Sequence, residues 1–296
     1  MTRLHQRDEV MSLLACPGEW TPEAALAELR LAAALGSPEP EFYARLVRWL
    51  RRDLRPVARS AARADALYAA VARGEQASEP GFLSGVQAAR KVGYGPLLVG
   101  VGVEVARRFL GLGCPWNAVR PSVGDNVVDL GCGGGLDVLL AASMVGPSGR
   151  VVGVDSRGTL LPAARLLPAH ARTVIRDASD TGIPEGWASL VTANGLPQLI
   201  TGETEASTLS EVRRVLADGG TFVMTALVAD TPGPTLEADS LVTAVRTGKP
   251  FPAQVRRMLE KEGFRTVAGR LGDPPLSDHP CRSVLRSGVF VARVSA

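Results

Sequence analysis

The sequence predicts an α/β fold with a mostly parallel sheet, preceded by an α-helical domain. Three observations predict it. An apolar strand around Val127 and Val128 runs into a series of glycines and at once into a helix. Strand and helix patterns then alternate to the end of the sequence, as in successive βαβ units. Before residue 90 the chain is rich in Ala, Leu, Arg and Glu, which favours helix.

The elements follow in order. Thr21-Pro22-Glu23 starts a helix, with Thr as cap and Pro at the first position, and Gly36 stops it. Ser37-Pro38-Glu39 starts a second helix, which Pro56 breaks, and a third runs on towards Arg73. Residues 1–90 are therefore expected to form a helical domain, 91–114 a connecting or lid segment, and 115–296 the sheet domain. Arg48, Arg52, Arg55, Arg59 and Arg63 share one stripe if the second and third helices stay coaxial. Such a stripe is either a solvated face whose arginine stems cover apolar surface, or a site for an anionic partner such as RNA. Residues 1–90 carry 12 basic residues against 11 acidic, a balance that argues against a dedicated nucleic-acid arm.

The glycine turn is the chemical centre of the sequence. Gly131, Gly133, Gly134 and Gly135 lack Cβ atoms, so the backbone can bend sharply and approach a ligand. Leu136–Val145 reads as the next helix, whose N-terminal amides and dipole favour a carboxylate or a phosphate. Arg150–Val154 reads as the second strand and ends in Asp155, followed by Ser156. Asp155 stands 20 residues beyond Gly135, where an acid accepts hydrogen bonds from a ribose diol. A phosphate loop needs Lys and then Ser or Thr after the glycines, but Leu136-Asp137 stands there. A dinucleotide fingerprint needs glycine at position 136. Asp129, just ahead of the first glycine, would repel a pyrophosphate but suits an ammonium. S-adenosyl-L-methionine meets these conditions, with an ammonium for Asp129 and a carboxylate for the helix end.

Arg172–Ala178 reads as the third strand, ending in Asp177-Ala178, and Ala188–Leu196 as the fourth. The end of the fourth, Asn194-Gly195-Leu196, falls at the crevice where open α/β sheets bind ligands. Glu211–Gly220 is a helix stopped by glycine, Thr221–Val228 the fifth strand, and Val255–Phe264 a helix closed by Gly263. Thr266–Leu271 and Gly288–Val294 read as the last strands.

From about residue 115 the chain resembles the class I S-adenosylmethionine-dependent methyltransferases, nearest the small-molecule branch of arsenite and quinone-biosynthesis enzymes. Leu112-Gly-Cys-Pro115, Gly124-Asp-Asn-Val-Val-Asp-Leu-Gly131 and Val145-Gly-Pro-Ser-Gly-Arg-Val-Val-Gly-Val-Asp155 carry the resemblance. It implies a Rossmann-like sheet of seven strands with an antiparallel edge hairpin, and S-adenosyl-L-methionine as cofactor. It implies Asp129, Gly131 and Gly133 around the methionine end, Asp155 at the ribose, Asp177 and Ala178 at the adenine, and Cys132, Ser156 and Asn194 also among the cofactor-binding residues. Asn194 would lie at the reactive mouth, with Tyr94, Gly195 and Leu196 as acceptor-pocket candidates. Arsenite enzymes usually place one Cys after the strand-four Asn and another after strand five. Here Gly195 takes the first position, and Ala226–Thr235 contains no Cys. Of Cys16, Cys114, Cys132 and Cys281, Cys132 reads as a small apolar filler in the turn and Cys114 as a possible pocket residue.

The expected function is methyl transfer to a small-molecule acceptor. RNA methylation through the arginine stripe is one alternative, and a non-methylating cyclase or binding protein on the same fold is another. Transfer from a sulfonium needs positioning more than a catalytic triad, and His5, His170 and His279 suggest no triad. The 296 residues, 46% hydrophobic and 21% charged, suit a globular protein, and a net charge of +3 is too small to imply nucleic acid by itself. No apolar run approaches the roughly 20 residues of a membrane span, and the N-terminus lacks a signal-peptide core. Four scattered cysteines suggest neither a disulfide framework nor a metal site, so the expected compartment is the cytoplasm.

Overall fold

The computed structural model describes residues 68–71, 73, 75, 83–157, 166–195, 203–229, 252–277 and 285–294. The chain divides into two compact units, Met1–Ala61 and Ala62–Ala296, and the described residues all belong to the second. The helices expected before residue 68, the arginine stripe, Cys16, Cys281, His5, His279 and Leu196 lie outside the described residues.

Seven strands form one sheet. They are β1 (Asn126–Leu130), β2 (Arg150–Asp155), β3 (Ala171–Ile175), β4 (Ala188–Asn194), β5 (Leu216–Ala229), β6 (Phe264–Gly272) and β7 (Leu285–Val294). Their order is β3-β2-β1-β4-β5-β7-β6. Strands β1 to β5 pair in parallel, and β7 runs antiparallel to both β5 and β6. This is a Rossmann-like α/β fold with the antiparallel edge hairpin. The chain goes from β1 to β2 on one side and returns to β4 on the other, so the strand order reverses at β1. A crevice opens at the carboxyl ends of the strands at such a switch point.

The apolar runs of the central strands are buried on both faces, as a parallel sheet requires. Successive residues alternate between two cores. Val128, Leu130, Val191 and Met224 pack with Leu209, Val212 and Val215 of α4 (Glu203–Val215) and with Val255 and Leu259 of α5 (Pro252–Lys261). Val127, Val151, Leu190 and Val223 face the other way, towards Val138, Ala141 and Val145 of α3 (Leu136–Val145). Each fully buried valine contributes about 1.5 kcal/mol or more. Helix α3 comes close to β2 because Gly153 has no side chain: a Cβ there would stand 2.6 Å from Val138 Cγ2 and 2.9 Å from Cys132 Sγ.

Residues 83–117 lie on the α3 face. Helix α1 (Gly85–Ala89) continues as one wider turn through Arg90–Tyr94, where Gly93 breaks helical geometry at φ 104°. Helix α2 (Val103–Ala106) follows. Ala88, Tyr94, Val105, Phe109 and Trp116 from this segment enter the core that holds Val127 and Leu136.

Several boundaries differ from the expectation, two of them with a visible physical cause. The strand expected over Arg172–Ala178 stops at Ile175, because Asp177 turns back on itself: its Oδ1 accepts the Ser179 N–H at 2.8 Å and the Ser179 hydroxyl at 2.6 Å. The helix expected over Glu211–Gly220 occupies Glu203–Val215 instead. Leu216 already pairs with Ala188, and the register is irregular before Leu190 meets Thr221. The glycines that seemed a helix stop, Gly219 at φ 71° and Gly220, lie in that irregular stretch of β5.

Candidate active site

A cavity of about 240 Å³ opens at the carboxyl ends of β1, β2 and β4. Its floor is the turn Gly131–Gly134, with Gly131 and Gly133 in the left-handed region at φ 68° and 50°. One wall holds Asp155, Ser156, Asp177 and Ala178, and another Asn194 and Gly195. Nine of the residues expected at a site thus line one cavity: Gly131, Cys132, Gly133, Asp155, Ser156, Asp177, Ala178, Asn194 and Gly195.

Asp155 is buried at the end of β2 and its carboxylate is held from two sides. Oδ2 accepts the Gly133 N–H at 2.9 Å, and Oδ1 accepts the Arg157 N–H at 2.8 Å. The acid therefore shapes the turn while lining the cavity. Asp177 is exposed, and its hydrogen bonds from the Ser179 hydroxyl and N–H hold its carboxyl below the usual range.

Asp129 stands apart from the residues that line the cavity. It does not line the cavity; it lies buried behind the turn. The parallel register sets it beside Thr192, whose hydroxyl donates to Oδ1 at 2.7 Å. Burial, and then the nearby Asp137, push the Asp129 carboxyl well above the usual range.

Tyr94 also stands back from the cavity. It is wholly buried, edge-on to Phe109 with ring centroids 4.9 Å apart. Its hydroxyl donates to Asp137 Oδ1 at 2.6 Å, and the Trp116 indole N–H donates to the same oxygen at 2.6 Å. Asn194 Nδ2 reaches Asp137 Oδ2 at 3.1 Å and the Tyr94 hydroxyl at 2.9 Å. Asn194 Oδ1 accepts the Leu112 N–H at 2.8 Å and the Thr225 hydroxyl at 2.5 Å. The Asn194 amide thus fastens residues 112–113 to the sheet. Burial raises the Asp137 carboxyl, while its bonds from Tyr94, Asn194 and Trp116 oppose the rise.

Sequence reasoning missed Asp137, which lines the cavity. The signal was present: Asp137 is the one charge in Leu136–Val145, which is apolar but for it and Ser143, and a buried acid requires partners. It also missed Arg108, Phe109 and Leu110, which cover the turn. Gly134 permits that cover, because a Cβ there would lie 2.6 Å from Arg108 Cβ and 3.1 Å from its carbonyl oxygen. At the far wall, the Arg157 guanidinium lies 4.5 Å from the centre of the Tyr68 ring.

Neither described cysteine is poised as a thiolate. Cys114 is buried outside the cavity, and burial pushes its thiol up to about 12. Burial also pushes the Cys132 thiol well up, and Asp129 and Asp155 add to it. His170 places Nε2 3.0 Å from the Ala142 carbonyl oxygen at the end of α3, away from the cavity. Among the described residues, no cluster of three or more His, Cys, Asp or Glu could hold a metal ion. Among them, too, no helix is long and apolar enough to cross a membrane.

Comparisons with known proteins agree with this geometry. Residues 127–220 match the family described as "Methyltransferase domain". An arsenite methyltransferase of Halobacterium salinarum is 30% identical over 168 residues, 53% of this chain and 42% of the relative. A demethylmenaquinone methyltransferase of Symbiobacterium thermophilum is 34% identical over 114 residues, 34% of this chain and 41% of the relative. The chain thus spans less than half the length of these two relatives. An arsenic(III) S-adenosylmethionine methyltransferase structure from Chlamydomonas reinhardtii superposes with a TM-score of 0.51 at 23% identity, covering 71% of this chain and 73% of that one. Residues 127–220 thus match a methyltransferase domain, and the sheet shares its fold with an S-adenosylmethionine methyltransferase structure.

Proposed function

We propose that this chain is an S-adenosylmethionine-dependent methyltransferase acting on a small-molecule acceptor. The observation that carries the proposal is the single cavity that gathers the glycine turn, Asp155, Asp177-Ala178 and Asn194-Gly195. The chemistry of the residues fits the cofactor. Asp137 in the wall and Asp129 behind the turn are both raised by burial, so a cationic ligand beside them is favoured.

In this proposal Gly131 and Gly133 present backbone to the methionine end, and the first turn of α3 offers its N–H groups to the carboxylate. Asp155 accepts the ribose hydroxyls with the lone pairs left beside its Gly133 and Arg157 bonds. Asp177 and the Ala178 N–H recognise the adenine edge. The bound cofactor supplies a methyl carbon already activated on a sulfonium. The protein's work is to hold the acceptor in line with it and to exclude water, and the cover Arg108–Gly111 does the second. Positioning of this kind can account for about 7–11 kcal/mol of barrier lowering.

An arsenic acceptor is disfavoured. Soft metalloids need several thiolates, whereas Gly195 stands at one expected thiol position and Cys114 and Cys132 are buried as thiols. The small-molecule reading rests on the small-molecule acceptors that the relatives' names imply.

Calorimetric titration with S-adenosylmethionine, S-adenosylhomocysteine and NAD tests the cofactor. Micromolar binding of the first two and none of NAD is expected. An acceptor screen that follows S-adenosylhomocysteine release then tests the activity. Cofactor binding without turnover on any small molecule, but with turnover on RNA, would replace the acceptor class.

A further inference from the structure

Three side chains from separate parts of the chain converge on one carboxylate. Tyr94 and Trp116 flank residues 108–113 in sequence, and both donate to Asp137 Oδ1 at 2.6 Å. Asn194, at the end of β4, donates to Asp137 Oδ2 at 3.1 Å. Tyr94 and Trp116 are fully buried and do not line the cavity, whereas Asp137 and Asn194 do. Asn194 also holds the near end of the cover, taking the N–H groups of Leu112 at 2.8 Å and Gly113 at 3.3 Å.

The spacing between cover and turn is tight. A Cβ on Gly111 would fall 2.4 Å from Asn194 Nδ2, and one on Gly134 would fall 2.6 Å from Arg108 Cβ. A shift of a few tenths of an ångström in the cover therefore changes the cavity roof directly. The cover is anchored on its N-terminal side at Tyr94 and on its C-terminal side at Trp116, and Asp137 takes both anchors. Asp137 sits in the first turn of α3, the same turn that would face the cofactor's carboxylate. One residue thus fixes the roof relative to the floor.

We propose that Asp137 is a positioning residue for the cofactor, setting the height of the Arg108–Gly111 roof over the glycine turn through Tyr94, Trp116 and Asn194. The proposal rests on the cofactor reading given above. It differs from a purely structural role in one respect: removing a hydroxyl outside the cavity changes ligand binding by the folded protein.

The test uses the full chain and the variants Tyr94→Phe, Trp116→Phe and Asp137→Asn. Each is titrated calorimetrically with S-adenosylmethionine and S-adenosylhomocysteine, well below its own melting temperature. Tyr94→Phe is expected to weaken both ligands on the order of tenfold, the loss of one buried hydrogen bond. Tyr94→Phe combined with Asp137→Asn is expected to lose less than the sum of the two, since both act on one network. Cofactor binding is also expected to change the emission of Trp116, a change that disappears in Trp116→Phe. A network that only stabilises the fold would lower the melting temperature and leave affinity and emission change intact, and that result would overturn the proposal. If Asp137→Asn does not fold, the Tyr94 and Trp116 variants decide alone. Wild-type protein that binds neither ligand would overturn the cofactor reading as well. Wild-type binding matched by unchanged Tyr94→Phe binding would overturn this proposal only.

Discussion

Asp155 Oδ2 accepts the backbone N–H of Gly133 at 2.9 Å, so the acid that ends β2 also holds the turn that follows β1. One side chain joins two adjacent parallel strands exactly where the cavity opens. Asp155→Ala removes both the proposed ribose acceptor and the tie on the turn, and is expected to weaken S-adenosylmethionine binding about a hundredfold, the loss of two charged hydrogen bonds. Asp155→Asn retains an oxygen for the Gly133 N–H and is expected to lose less. Calorimetry on both variants checks this. Unchanged affinity in folded Asp155→Ala protein would remove the ribose assignment.

Adjacent glycines separate strain from crowding. Gly133 sits at φ 50° with open space at its Cβ position, the nearest contact being 3.9 Å away. Gly133→Ala should therefore cost about 1–2 kcal/mol of backbone strain and little in protein packing. Gly134 is not in the left-handed region, yet its Cβ would meet Arg108 at 2.6 Å. Gly134→Ala should cost about 1–3 kcal/mol by overpacking and should also displace the cover. Denaturant unfolding gives the two stabilities, and titration shows whether Gly134→Ala suffers the larger loss of affinity.

Another buried acid, Glu211, gives a pH signature. Glu211 accepts both the N–H and the hydroxyl of Thr181 and pairs with Arg214 at 2.7 Å. The Arg214 hydrogen bond, with those from Thr181, holds its carboxyl down at about 2. The folded value lies below the unfolded one, so the contribution is fully present above the ordinary glutamate range and fades as pH falls towards about 2. Thermal unfolding should show wild type above Glu211→Gln by a constant margin near neutrality. The margin should shrink below about pH 4.3, the ordinary value for glutamate.

The described thiols should be inert. Cys114 and Cys132 are buried, with Cys114 pushed up to about 12, and reactivity follows the thiolate. Iodoacetamide at pH 8, followed by peptide mapping, is expected to leave both unlabelled in the folded protein and to label both in denaturant. Rapid labelling of Cys114 in the folded state would reopen thiol-based acceptor chemistry.

The legible part of this molecule is the part written in local patterns. Val127-Val128 before the glycines, and the spacing to Asp155, show the first βαβ unit because strand, turn and helix each have their own local chemistry. The cover was not legible. Arg108, Phe109 and Leu110 reach the cavity through tertiary packing on Gly134, a contact between residues with no shared periodicity. Asp129 was legible from its place before the turn, but its hydrogen bond from Thr192 emerges only from the register with β4. Asp177 looked like strand until its own side chain captured Ser179. There a side chain overrode what the backbone pattern implied.

Ser287 on β7 donates its hydroxyl to the Leu112 carbonyl, 175 residues earlier in the chain. Synthesis proceeds from the N-terminus, so the roof is made long before the residue that latches it. Until β7 leaves the ribosome, β5 keeps an open edge where β7 later pairs from Thr221 to Ala229. An apolar open edge of that length is a template for pairing between chains. Nascent chains ending before Leu285 are therefore expected to sediment as aggregates, while completed chains stay in solution. The hazard in making this protein is concentrated between the synthesis of β5 and that of β7.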